Sequence, residues 1–114
     1  MSEELEKRFE KFAIKTRDFC LQVDKNVANA EYVRQLIRCS SSIAANYLEA
    51  ADDLGKADEK MKIKIARREA KESSLFLTLI LINNNNELEK ERATLINEAL
   101  QIRKILSAII LKLR

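Results

Sequence analysis

The sequence predicts an all-α protein, an antiparallel up-down-up-down four-helix bundle formed by a single domain over residues 1–114. Three observations carry that prediction. The chain has no proline and one glycine, so residues that break helices are nearly missing. Hydrophobic residues make up 46% and charged residues 34% of it, the balance of amphipathic helices rather than of strands and turns. Apolar residues recur at steps of three and four along most of the chain, which places them on one helical face. At 114 residues the domain is long enough to bury a core without disulfides or a structural metal.

Leu5, Phe9, Phe12, Thr16, Phe19, Cys20 and Val23 predict a first helix from about Ser2 to Asp24. Residues 25–29 read as a connector, with Asn29 placed to cap a second helix through its side-chain oxygen. That helix carries Tyr32, Leu36, Cys39, Ile43, Tyr47 and Leu54 on its apolar stripe. Gly55, which reaches the left-handed region at no steric cost, is expected to end it, and Asp58 to cap the third helix. The third helix is expected to run to about Ile82, with a core seam of Met61, Ile65, Glu69, Glu72, Phe76 and Leu79. The four asparagines Asn83 to Asn86 then form a turn and the next N-cap. In the fourth helix Leu88, Leu95, Ala99, Ile102, Leu106, Ile109 and Leu113 hold the alternating spacing of a bundle seam.

Two helices carry more apolar surface than one seam can cover. Seven of the eight residues from Leu75 to Ile82 are apolar, and in the fourth helix Ile96, Leu100, Ile105, Ile110 and Leu111 widen the stripe. Exposed on a monomer, such a surface would promote aggregation, so the sequence predicts burial against identical copies in a homo-oligomer.

Two carboxylates, Glu69 and Glu72, fall at core spacing on the third helix, while on the second helix Arg38 and Glu49 share one face and Asn46 lies on the flank of the apolar stripe. They predict a structural polar network, with the carboxylates buried or half-buried and Arg38 and Asn46 as their partners. Catalysis finds little support. Histidine is absent, which removes the commonest general base and the Glu-x-x-His pairs of di-iron bundles. Ser40, Ser41 and Ser42 have no base beside them and read as small residues that let helices approach. Cys20 and Cys39 lack metal-ligand spacing and read as buried thiols. The expectation is a protein that is not an enzyme, with no catalytic residue, no metal and no cofactor.

The run Gln35-Leu36-Ile37-Arg38-Cys39-Ser40-Ser41-Ser42-Ile43-Ala44-Ala45-Asn46-Tyr47-Leu48-Glu49-Ala50, together with Glu69-Ala70-Lys71-Glu72, Leu75-Phe76-Leu77 and the opening Phe9-Glu10-Lys11-Phe12-Ala13, resembles the four-helix-bundle proteins encoded in intervening sequences of bacterial 23S ribosomal RNA genes. The resemblance covers nearly the whole chain. It departs from the family pattern at Leu75-Phe76, where Tyr-Trp is common, and at Ala44, where glycine or proline is common. It implies an up-down bundle assembled as a homo-oligomeric ring, a pentamer. It also implies kinship with the accessory proteins of diversity-generating retroelements, whose bundles bind nucleic acid and a reverse transcriptase. It implies no enzymatic activity.

Net charge is +3, but the charge is unevenly spread. Between Lys56 and Lys71 seven basic residues face three acidic ones, Asp58, Glu59 and Glu69. Lys60, Lys64, Arg67, Arg68 and Lys71 share one face of the third helix. They are the candidate nucleic-acid-binding residues, for RNA or DNA held by its phosphates, since no aromatic residue interleaves to stack on bases. The alternative is a structural scaffold for protein–protein contacts with no nucleic-acid role, its basic face serving only solubility. The acidic start, Ser2-Glu3-Glu4-Leu5-Glu6, lacks the pattern of a secretory signal, and no apolar run approaches the roughly 20 residues of a membrane span. A cytoplasmic protein without a membrane role is expected.

Overall fold

Most of the helices begin where a side chain can satisfy the free backbone amides of a first turn. In the computed structural model, which describes residues 2–52 and 55–113, the Ser2 hydroxyl accepts from Leu5 N–H at 3.1 Å and opens α1 (Glu3–Cys20). Asn26 Oδ1 accepts from Asn29 N–H at 2.8 Å and opens α2 (Val27–Ala50). Asn85 Oδ1 accepts from Leu88 N–H at 3.1 Å and opens α4 (Asn86–Lys112). The preceding Asn84 sits in the left-handed region at φ 53°, a conformation asparagine tolerates well. The asparagine tract thus makes both the turn and the cap, as its composition predicts.

The exception is α3 (Lys56–Leu79). Gly55 precedes it at φ 88° and offers no side-chain cap. Asp58 and Glu59 in its first turn instead place negative charge at the positive end of the helix dipole.

Several expected boundaries move. Asn26, not Asn29, caps α2, while Asn29 is buried within the first turn of the helix. The second helix stops at Ala50, so Gly55 starts the third helix rather than ending the second, and Asp58 lies within the first turn rather than before it. Leu54 lies outside the described residues. The first helix ends at Cys20, and Val23 reaches the core from the connector instead. The third ends at Leu79, where Ile80 turns to extended backbone and still buries its side chain.

Consecutive helices run antiparallel. Ser2 N–H donates to Tyr47 Oη at one end of α1 and α2, while Asp24 O accepts from Asn29 Nδ2 at the other. Glu49 pairs with Lys62, and Arg38 with Glu69 and Glu72, in reversed order along α2 and α3. Arg67 meets Ser107, and Leu77 and Ile80 meet Arg92, along α3 and α4. Among the described residues each helix packs on its two cyclic neighbours, most tightly at α2–α3 and most loosely at α1–α4. The result is an up-down-up-down bundle of about 47 × 22 × 19 Å with no strand among those residues.

Its core holds Phe9, Phe12, Phe19, Leu36, Ile43, Tyr47, Ile63, Leu77, Ile102 and Leu106, each such side chain stabilising the fold by roughly 1.5–3 kcal/mol through burial. Tyr47 packs edge-on against Phe9, with ring centroids 5.0 Å apart, and its buried hydroxyl accepts the Ser2 bond. The fourth-helix seam matches the expected one except that Ile110 is buried in place of the half-buried Ile109 and Leu113.

On α3 the inward face is rotated from the expected seam. The core positions are Ile63, Ala66, Glu69, Ala70, Ser73 and Leu77, whereas Met61 is 56% exposed and Ile65, Glu72 and Phe76 are only half-buried. Small side chains at Ala66, Ala70 and Ser73 let α3 approach its neighbours closely. The larger residues beside them therefore lie at the margin of the core.

Candidate nucleic-acid interface

Antiparallel packing sets residues 64–71 of α3 against residues 100–111 of α4. Between them runs a groove of about 720 Å³ lined by Lys64, Arg67, Arg68, Lys71, Arg103 and Lys104. Ser107 lies in its wall and accepts from Arg67 Nη1–H at 3.2 Å, which holds that guanidinium across the helix pair. Leu100, Ala108 and Leu111 supply apolar surface. No carboxylate lines the groove among the described residues. The nearest compensating charge is Glu69, whose Oε1 lies 3.8 Å from Arg68 Nε. Six like charges beside apolar walls focus a positive potential outward.

Of the five stripe residues named from the sequence, Lys64, Arg67, Arg68 and Lys71 line this groove and Lys60 does not. Arg103 and Lys104 were not legible as partners of that stripe, because they lie on another helix. The signal for them was the expected antiparallel pairing itself, which brings the last third of α4 against the first half of α3. On the opposite side of the bundle the groove between α1 and α2 is lined by Glu3, Glu6 and Glu10, with Lys7 the only cation among the described residues there. A modest net charge thus conceals a strongly polarised surface.

The expected polar network divides into three parts. Arg38 lies 3.4 Å from Glu69 and 3.9 Å from Glu72, so those three residues do come together. Glu49 pairs with Lys62 at 2.6 Å instead. Asn46 turns back to its own helix, donating to Ser42 O at 2.8 Å and Ser42 Oγ at 3.0 Å. Glu69 is buried, while the Arg38 side chain is 54% exposed and Glu72 is half-buried. Burial, and then the neighbouring Glu72, push the Glu69 carboxyl up from its ordinary value against the pull of Arg38 and Arg68.

Both cysteines are free and buried. Burial pushes the Cys20 thiol up to about 12, with Cys39 adding to the effect, and the Cys39 thiol also moves up, chiefly by burial. Neither is an activated nucleophile. Among the described residues no cluster of His, Cys, Asp or Glu is placed to hold a metal ion, and no helix is long and apolar enough to cross a membrane.

Comparison with known proteins agrees with the α2 and α3 sequence runs. The solved structure of a protein of unknown function from the S23 ribosomal protein family of Bacteroides thetaiotaomicron VPI-5482 superposes with a TM-score of 0.76. It is 26% identical, and the alignment covers 92% of this chain and 96% of that one. No curated protein gives a significant match. The sequence fits the family of 23S rRNA-intervening sequence proteins over residues 4–108, and the chain belongs to that family.

Proposed function

We propose that this protein is a non-enzymatic, self-associating bundle that binds the phosphate backbone of RNA or DNA as an accessory factor. The observation that carries the reading is the convergence of six cationic side chains from two helices on one groove that no carboxylate lines among the described residues. Arginine and lysine there would contact phosphate oxygens. Arg67, braced by Ser107, is held ready for a two-pronged contact. Affinity would come from counterion release and would carry little sequence information. The direct test is binding of labelled RNA and DNA across a salt series.

Self-association rests on a separate observation. Leu75 is 52% exposed and Leu79 and Leu81 are also exposed around the C-terminal end of α3, so the bundle leaves uncovered part of the apolar run that exceeds its seam. Identical copies would cover it, and the family resemblance points to a ring of five. The same leucines favour the alternative reading, a protein–protein scaffold with no nucleic-acid role, whose partner could be a reverse transcriptase or another protein.

A further inference from the structure

A second row of lysines flanks α4 on its other side. Lys7, Lys11 and Lys15 follow one another at steps of four on α1 and line a groove of about 540 Å³ between α1 and α4. Two of the charges there are already matched. Arg8 Nε and Nη2 donate to the two oxygens of Glu98 at 2.9 and 2.8 Å, and Lys7 lies 3.8 Å from Glu3. Glu4 also lines the groove. Lys11 and Lys15 are exposed and carry most of the unbalanced charge.

Between the two grooves runs the outer ridge of α4, with Lys90, Thr94, Asn97, Gln101 and Lys104 at alternating steps of four and three. A carboxylate that borders it, Glu98, is held by Arg8. The lysines of α1 lie beside residues 94–98 of α4, and the α3 cations lie beside residues 100–111. The clusters are therefore offset by roughly 14 Å along α4, at about 1.5 Å per residue, and by about one helix spacing of 8–10 Å across it.

Resting on the nucleic-acid reading, we infer that the ligand is double-stranded: one backbone lies on the α3/α4 groove, the other on Lys11 and Lys15, and a groove of the duplex faces Thr94, Asn97 and Gln101. A single strand crossing the ridge would put phosphates over uncharged side chains. It would also find no stacking platform, since the aromatic ring lining either groove, Phe12, is buried. A duplex presents two separated phosphate lines, and the major groove of DNA is about 12 Å wide. The ridge residues can hydrogen-bond to whatever faces them there.

The test compares the wild-type protein with K11Q/K15Q, using fluorescence anisotropy on a short blunt duplex and a single strand of the same length, in RNA and DNA. Circular dichroism confirms that the exposed substitutions leave the fold intact. The wild type is expected to bind duplex more tightly than single strand. K11Q/K15Q is expected to lose that preference, its duplex salt slope becoming shallower by about two as two phosphate contacts vanish, with single-strand binding unchanged. If the variant keeps the wild-type duplex affinity and slope, or if wild type prefers single strands, the two-row inference is overturned while the α3/α4 groove stands. If wild type binds neither nucleic acid, or binds phosphatidylserine vesicles in their place, the underlying reading is overturned as well.

Discussion

Asn29 and Leu81, 52 positions apart, exchange hydrogen bonds in both directions: Asn29 Nδ2 donates to Leu81 O at 3.0 Å, and Leu81 N–H donates to Asn29 Oδ1 at 2.8 Å. The same amide donates to Asp24 O at 2.9 Å. One buried carboxamide therefore imitates a strand partner for the α3–α4 connector and ties it to the α1–α2 connector. Beside it Asn83 Nδ2 donates to Asp24 Oδ2 at 2.7 Å.

Asn29→Asp keeps the oxygen that accepts from Leu81 but turns a second oxygen toward two carbonyls. It should cost about 3 kcal/mol or more at neutral pH, the scale of several buried polar groups left unpaired. Acidification should recover part of the loss, because a protonated carboxyl can donate again. Asn29→Ala should lose a similar amount without that recovery. Chemical denaturation of both variants at neutral and acid pH checks this, and equal wild-type stability in the two would refute the staple.

Arg92 closes α3 from outside. Its Nη1 donates to Leu77 O at 3.1 Å, Thr78 O at 3.3 Å and Ile80 O at 2.5 Å, while Glu89 holds its other edge. No basic residue occupies the last turn of α3 itself, so α4 provides the cation that the negative helix end favours. Arg92→Met, which keeps the stem, should destabilise by about 1–3 kcal/mol. A thermal melt indistinguishable from wild type would mean that water serves these carbonyls equally well.

Glu69 gives a pH dependence of opposite sign to that of most carboxylates. Its pKa is raised in the folded state, so the native protein holds that proton more tightly than the unfolded chain. The stabilisation is complete below the ordinary carboxylate value and is lost as pH rises through the folded one. Glu69→Gln should therefore melt at or above the wild-type temperature at neutral pH, with the gap narrowing as pH falls through the carboxylate range. A variant that melts lower at neutral pH would show that the bonds to Arg38 outweigh desolvation. Glu72→Ala should cost at most about 1 kcal/mol, because Arg38 is exposed and keeps its solvent shell.

Light scattering should return a multiple of 13.1 kDa for the wild type at micromolar concentration, and a smaller species for L75Q/L79Q. A monodisperse wild-type monomer would remove the self-associating part of the proposal.

The helices and the fourth-helix seam could be read from the chain because large apolar residues at regular steps are themselves the cause of amphipathic packing. The α3 face could not be read that way. Close helix approach there depends on Ala66, Ala70 and Ser73, and small residues leave a weak periodic signal beside Met61, Ile65 and Phe76. An asparagine near a helix start reads as a cap, whereas the partner of Asn29 is 52 residues away. Four of the six cations of the candidate site were visible as a one-helix stripe. Arg103 and Lys104 entered it only through tertiary pairing. Arg38 meeting Glu69 and Glu72 also shows that the two sequence runs carrying the family resemblance meet across the tightest helix pair.

The central claim is that the α3/α4 groove is a phosphate-binding site. The most direct measurement is the salt dependence of nucleic-acid affinity by fluorescence anisotropy for wild type, for K64Q/R67Q/K71Q and for R103Q/K104Q. The predicted result is wild-type binding that weakens steeply with salt, with slopes shallower by about two to three in the first variant and by about one and a half in the second, near 0.7–0.9 for each lost contact, and with unchanged oligomer mass. Wild-type binding that is absent at low salt, or slopes identical in all three proteins, would contradict the account and leave the groove as a solubilising surface on a protein-binding scaffold.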